Sequence, residues 1–246
     1  MGDIMNETIR QLNARKSVRV FLDREISPQE KNAILNAAAQ APTAGNQQLY
    51  TIIDVTDPIV KERLVETCDH QPFIASAKMV LIFCADCKKW YDAFELADCA
   101  PRLPDVGDLF LAISDTNIAA QNAVTAAESL GIGSCYIGDI MENCEEQRAL
   151  LNLPKYVFPA AMLVFGYPTE QQKERPKPIR ADLRHVVHEN AYREMDEQEL
   201  RELFSIRCEK KTYEDYMKAF CARKYNSDFS VEMSRSVRSY LKQFES

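Results

Sequence analysis

Hydrophobic and polar positions follow two different periods along this chain, and the switches between them mark out its elements. The unbroken apolar run Met79-Val80-Leu81-Ile82-Phe83, continuing to Ala85, predicts a strand buried on both faces. Tyr50 to Val55, Cys135 to Gly138 and Ala160 to Phe165 predict three more strands. Helical spacing predicts a short helix from Ile4 to Asn13, a second from Ser27 to about Ala41, and a third around Glu145 to Leu151. The second carries three agreeing start signals: Ser27 as N-cap, Pro28 at the first helical position and Glu30 placed to close a capping box. Thr56-Asp57-Pro58 starts another helix in the same manner.

The segment Asp108 to Leu130 is helical in period but apolar and alanine-rich nearly all round, so it is expected to be a central helix buried on most sides, ending at Gly131. Between Ala85 and this helix an irregular stretch with prolines at 101 and 104 is expected. From about Asp196 the chain is charged and helical, with apolar spacing suited to packing on a body or a partner subunit. Strands and helices alternate, yet the crossovers are irregular and the central helix is too apolar for a simple doubly wound sheet, so an α+β sandwich is predicted. Gly131-Ile132-Gly133 is a poor dinucleotide fingerprint, because it follows a helix and lacks the third glycine.

Composition adds limits. With 246 residues, 46% hydrophobic and 27% charged, the chain can bury a full core in one globular domain with a helical extension, which excludes a disordered or fibrous protein. A net charge of −7 argues against a general nucleic-acid or membrane-surface binder, which needs a broad basic face. The longest apolar runs are of strand length, far short of the ~20 residues of a membrane span. Residues 1 to 15 carry acids and lack the apolar core of a signal peptide, so a cytoplasmic protein is expected.

Against that acidic background two basic clusters stand out, Arg15-Lys16-Ser17-Val18-Arg19 and Arg175-Pro176-Lys177-Pro178-Ile179-Arg180. Arginine offers a planar fork for phosphate and lysine a movable point charge, so the two clusters folded together would make a pocket for one phosphate group. The eight cysteines are scattered through a chain that needs no staples, and free thiols are expected. In Cys84-Ala85-Asp86-Cys87 the first sulfur ends a strand, whereas a redox pair needs it at a helix start; no second pair completes a zinc site. His70, His185 and His188 fit no triad.

These clusters occur in order with the loop Ala41-Pro42-Thr43-Ala44-Gly45-Asn46-Gln47, with Gln71, with Ala120-Gln121-Asn122-Ala123 through Glu128-Ser129-Leu130-Gly131, with Tyr136-Ile137-Gly138 and with His188-Glu189-Asn190. Taken together, over roughly residues 5 to 200, the pattern resembles the FMN-dependent nitroreductases, and within them the oxygen-insensitive NAD(P)H nitroreductase and flavin reductase group of the major type. The resemblance implies a three-layer α+β sandwich with a mostly antiparallel central sheet, an FMN-binding domain over residues 1–195, and a helical extension over 196–246 packing on the domain or on a dimer partner. It implies that Arg15, Lys16, Ser17 and Arg19, with Lys177 and Arg180, hold the FMN phosphate and ribityl chain. Thr43, Asn46, Gln47 and Gln71 would bond the flavin pyrimidine, and Tyr136, Ile137 and Gly138 would pass along the isoalloxazine, Gly138 nearest N5. Asp139 stands where some relatives carry a second glycine. Arg223 and Lys224 would help recognise the NADPH phosphate.

The activity implied is ping-pong hydride transfer from NADPH or NADH through FMN to nitroaromatics, quinones or free flavin, in a homodimer with flavin sites at the subunit interface. No side-chain acid or base is required for it. Trp90 to Asp105, with Tyr91, Phe94 and Cys99, departs from the family pattern and is expected to be a variable lid over the substrate face. The alternatives are a dedicated flavin reductase or a reductive dehalogenase on the same scaffold, a flavin-binding sensor or carrier without turnover, and a flavin-free anion-binding regulator.

Overall fold

The computed structural model describes residues 5–208 and 210–245. In chain order the elements are α1 (Glu7–Ala14), α2 (Pro28–Ala39), β1 (Tyr50–Asp54), α3 (Pro58–Thr67), α4 (Phe73–Ser76), β2 (Met79–Asp86), α5 (Lys88–Leu96), α6 (Val106–Ser129), β3 (Gly133–Ile137), α7 (Cys144–Leu151), β4 (Val157–Gly166), α8 (Glu170–Glu174), α9 (Glu197–Ser205), α10 (Tyr213–Lys224) and α11 (Asp228–Leu241). They form two compact units, one made of the chain up to Arg175 together with residues from Glu232 onward, the other spanning Pro176–Val231.

In the first unit the four strands form one sheet in the order β1-β2-β4-β3, every pair antiparallel. Every residue of β2 and β4 is buried, as expected of a sheet covered on both faces. Period-two alternation splits the strand residues between two cores. Leu81, Phe83, Leu163 and Phe165 face α2 and α6, meeting Ile34, Ala38, Ala119, Ala123 and Ala127. Val80, Ile82, Met162 and Val164 face the other way, onto Leu64, Cys68, Ile74 and Leu153. Three layers result, helix on sheet on helix.

The helix starts follow their sequence signals. Ser27 and Glu30 close the capping box at α2, and the Asp57 side chain accepts from the Ile59 N–H ahead of Pro58 at α3. The helix predicted from Ile4 runs from Glu7 behind an Asn6 cap, and Ile4 itself lies outside the described residues. α6 ends in the paired reverse bonds of a left-handed glycine terminus, with Gly131 at φ 73° and the Ile132 and Gly131 N–H groups returning to Ala127 and Glu128.

Two expectations need correcting. The stretch after β2 is not irregular at its start, since Lys88–Leu96 forms α5. Its aromatic residues recur at helical spacing, and Asp86 accepts the N–H groups of Lys88 and Lys89 to start the turn. Nor is α6 buried on most sides within this chain. Its alanine face lies on the sheet, but Phe110 is 62% exposed, and Leu111 and Ile118 are exposed beside it. Among the described residues no helix is long and apolar enough to cross a membrane, and all eight cysteines are free.

In the second unit α9 begins with a capping box between Asp196 and Glu199, Thr212 caps α10, and Arg201 pairs with Glu214 at 2.7 Å across the two helices.

Candidate functional site

The basic segment after α1 runs as extended chain along the sheet edge, with the Val18 N–H bonded to the Ser134 carbonyl at 2.9 Å and the Leu22 N–H to the Tyr167 carbonyl. Two glycines admit it. A Cβ on Gly133 would sit 2.5 Å from Val18 Cγ2, and one on Gly166 would sit 2.6 Å from the Phe21 ring. Extended backbone alternates its side chains, so Val18 is buried while Arg15, Ser17 and Arg19 share the opposite direction.

These three converge on Cys135 of β3. Burial raises the Cys135 thiol pKa, while Arg19, Ser17 and Arg15 around the sulfur pull it back down. Tyr136 stands next to them, its hydroxyl 3.4 Å from Gln121 Oε1. Burial pushes its pKa up to about 12 against the pull of Arg15. Among the described residues no carboxylate forms an ion pair with Arg15 or Arg19. The Arg15 Nε is moreover buried without a hydrogen-bond partner. An unpaired buried guanidinium N–H is costly in an isolated protein and suits an anion arriving from outside.

Lys16 points the other way. Its ammonium donates to the carbonyls of Lys173, at 2.5 Å, and Arg175, which end α8. These two carbonyls fix the ammonium at the end of α8. Arg175, from the second basic cluster, does meet the first: its Nη2 donates to the Ser17 carbonyl at 2.5 Å. Gln172 adds a bond from its Oε1 to the Arg19 N–H. Lys177 and Arg180 fall in the second unit, on irregular chain, half-buried and exposed respectively. Arg223 and Lys224 also belong there, exposed in the last turn of α10, with their cations over the Phe220 and Phe229 rings.

At the far end of β3, Gly138 opens a single helical turn, and a Cβ added there would meet nothing closer than Met141 Cε at 3.9 Å. The Ile137 side chain is buried in the core, leaving only its backbone to face outward. Gln71 is fixed beside this turn, its Nε2 donating at 3.0 Å both to the Cys68 carbonyl and to Asp139 Oδ2. Arg19 lies over the Phe73 ring, 5.8 Å from its centre, which brings the basic segment and the Gln71 segment into one neighbourhood.

The Thr43 to Gln47 loop is a separate small structure. Gly45, Asn46 and Gln48 all adopt left-handed backbone. A residue not singled out from sequence holds it: Asp115 of α6, 3% exposed, accepts the Ala44 N–H at 3.0 Å on one oxygen and the Leu49 N–H at 3.4 Å on the other. The signal was present as an aspartate within an apolar helix. Trp90 of α5 completes the fixing, donating its indole N–H to the Gln47 carbonyl at 2.7 Å. The side chains of Thr43, Asn46 and Gln47 are thereby presented on a rigid turn.

Cys84 and Cys87 are both buried, and burial pushes each thiol up to about 12, so neither is a ready thiolate. Among the described residues no group of three or more metal-ligating side chains is assembled.

The chain matches the sequence profile of the Nitroreductase family over residues 12–167. It is 32% identical over 239 residues to an FMN reductase [NAD(P)H] of Bacillus subtilis, covering 96% of this chain and 91% of that protein. It is 37% identical over 194 residues to an oxygen-insensitive NADPH nitroreductase of Salmonella typhimurium, covering 78% of each. Its fold superimposes on the solved structure of NfrA2 from B. megaterium with a TM-score of 0.85, 30% identity, and coverage of 98% of this chain and all of that one. The sequence match, the shared fold and the arginine-lined edge of the sheet agree: the chain belongs to the nitroreductase family.

Proposed function

We propose that this protein is an FMN-containing oxidoreductase that takes hydride from NAD(P)H and passes it, in a ping-pong cycle, to nitroaromatics, quinones or free flavin. The observation that carries the reading is the pair of guanidinium groups at Arg15 and Arg19, flanking Ser17, with no carboxylate partner and with the Arg15 Nε buried and unbonded. A phosphate monoester, nearly doubly charged, meets that need with charge-assisted bonds. The names of the Bacillus and Salmonella relatives support the same cofactor and donor.

When bound, FMN would supply the two-electron redox chemistry between the nicotinamide and the second substrate. The chain's own residues do the rest. Arg15, Ser17 and Arg19 hold the phosphate and ribityl chain. Thr43, Asn46 and Gln47, on the turn braced by Asp115 and Trp90, and Gln71, braced by the Cys68 carbonyl, present hydrogen-bonding groups to a ring edge. Gly138, with open space where a Cβ would stand, admits a flat ring close to the backbone beside Tyr136. Arg223 and Lys224 assist the NADPH phosphate.

The working unit is a homodimer. Support comes from α6, whose outward face leaves Phe110, Leu111 and Ile118 exposed, an apolar stripe that isolated domains seldom leave open. Sedimentation at micromolar concentration is expected to give twice the chain mass, and a monomer would remove this part of the reading.

The decisive experiment is the visible spectrum of the purified protein before and after anaerobic addition of NADPH, then NADH. Yellow protein that bleaches with one donor is expected. Colourless protein that refuses added FMN would overturn the assignment.

A further inference from the structure

The segment from α5 to the start of α6 encloses a cleft of about 480 Å³. That volume falls in the range of small-molecule sites. One wall is aromatic: Trp90, Tyr91 and Phe94 share a side of α5, with the Trp90 and Phe94 rings 5.5 Å apart. The opposite wall is the return chain, stiffened by Pro101 and Pro104. Leu49, Cys87 and Leu111 supply further apolar lining, and Gln47 contributes an amide.

Charge in the cleft is cancelled internally. Arg102 binds Asp108 through both nitrogens, at 2.5 and 2.8 Å, and its Nη1 also donates to the Leu103 carbonyl. An anionic ligand would have to break that pair, and a cationic one would compete with Arg102 for the same carboxylate. The Asp86 and Trp90 bonds hold α5 in place without any ligand, so the cleft is preformed rather than a gap in a loose lid.

We propose that this cleft is the specificity site for the electron acceptor, and that it takes an uncharged, planar aromatic of about two fused rings, packed between the tilted rings of Trp90 and Phe94, which stand at 42° to each other. The assignment to an acceptor rests on the flavin reading above, because Gln47 joins the cleft to the turn assigned to the flavin edge; binding of the aromatic does not depend on it. Aromatic walls without a free cation or anion recognise ring area, not charge. Among the broad acceptors of the family, the cleft therefore selects neutral bicyclic compounds over phosphorylated or sulfonated ones.

Trp90 is the chain's single tryptophan, so the fluorescence of the purified holoprotein reads the cleft directly. Naphthoquinone is expected to quench it saturably, while its sulfonated counterpart quenches only linearly, as by collision. Phe94→Ala should weaken the saturable phase about fivefold and raise the KM for naphthoquinone to a similar extent; Phe94→Tyr, which keeps the ring, should restore both. FMN content and the rate of bleaching by the nicotinamide should be unchanged in both variants. Equal linear quenching by both compounds, or Phe94→Ala binding like the parent, would overturn the proposal. Saturable quenching in a protein that carries no flavin would leave the aromatic site standing and overturn its role with an acceptor.

Discussion

Val18 and Gly133 touch so closely that position 133 has no room for a side chain: an added Cβ would lie 2.5 Å from Val18 Cγ2 and 2.8 Å from its Cβ. This contact, with the bond from the Val18 N–H to the Ser134 carbonyl, seats the basic segment on the sheet edge and so aims Arg15, Ser17 and Arg19. Gly133→Ala must push the segment outward. The expected cost is about 1–3 kcal/mol of stability, in the range of overpacked cores. Flavin content after purification should fall with it, whereas an alanine at Gly107, where the added Cβ meets nothing within 4 Å, should change neither. Thermal melting and the visible spectrum check both.

The directions of neighbouring side chains in that segment make a second prediction. Arg15→Ala and Arg19→Ala each remove a guanidinium that has no carboxylate partner and should weaken FMN binding by about ten- to a hundredfold, the worth of a charged hydrogen bond. Lys16→Ala should act differently. Its ammonium ties down the carbonyls of Lys173 and Arg175, so its loss should lower the melting temperature first, with flavin loss following only through the loosened Arg175. Measuring affinity and stability together separates the cases. Three variants that behave alike would remove the distinction and the pocket with it.

Asp115 makes the third. It is buried and satisfies the backbone N–H groups of Ala44 and Leu49 at the two ends of a turn containing three left-handed residues. Asp115→Ala strands both donors, and about 2 kcal/mol or more of stability should be lost. Protease cleavage within 43–49 should appear in the variant and not in the parent, which limited proteolysis with mass spectrometry reads directly.

Much of the fold was legible because its signals are local. Ser27 and Glu30 lie one turn apart, Gly131 follows its helix directly, and the continuous run through Phe83 can only be a strand buried on both faces. The site was legible in its residue types and less so in its directions. Lys16 and Arg15 are equally basic as letters, and only the seating of Val18 against Gly133 turns one toward α8 and the other toward Cys135. That contact spans more than a hundred residues of chain, and no periodicity encodes it. α5 was missed for a related reason. Its start is fixed by Asp86 and its aromatic face by the Gln47 carbonyl, while the prolines at 101 and 104 that suggested irregular chain act only after it has ended.

The last prediction concerns Glu142, 6% exposed, one residue beyond the turn that Gly138 opens. Burial, aided by the nearby carboxylates of Asp139, Asp69 and Glu232, pushes its pKa up to about 7, and its Oε1 has no hydrogen-bond partner. A carboxyl whose folded-state pKa lies above its unfolded value binds its proton more tightly when folded. It favours the fold below about pH 4.5 relative to the alkaline side, and that contribution is lost as pH rises through about 7. Glu142→Gln mimics the protonated acid and removes the titration. The variant and the parent should therefore have similar stability near pH 5, and the variant should be more stable at pH 8 by about 2 kcal/mol. Urea unfolding at the two pH values measures it. A parent whose stability relative to Glu142→Gln does not fall between pH 5 and 8 would show that Glu142 is charged and solvated in the fold, contrary to its burial among three other acids.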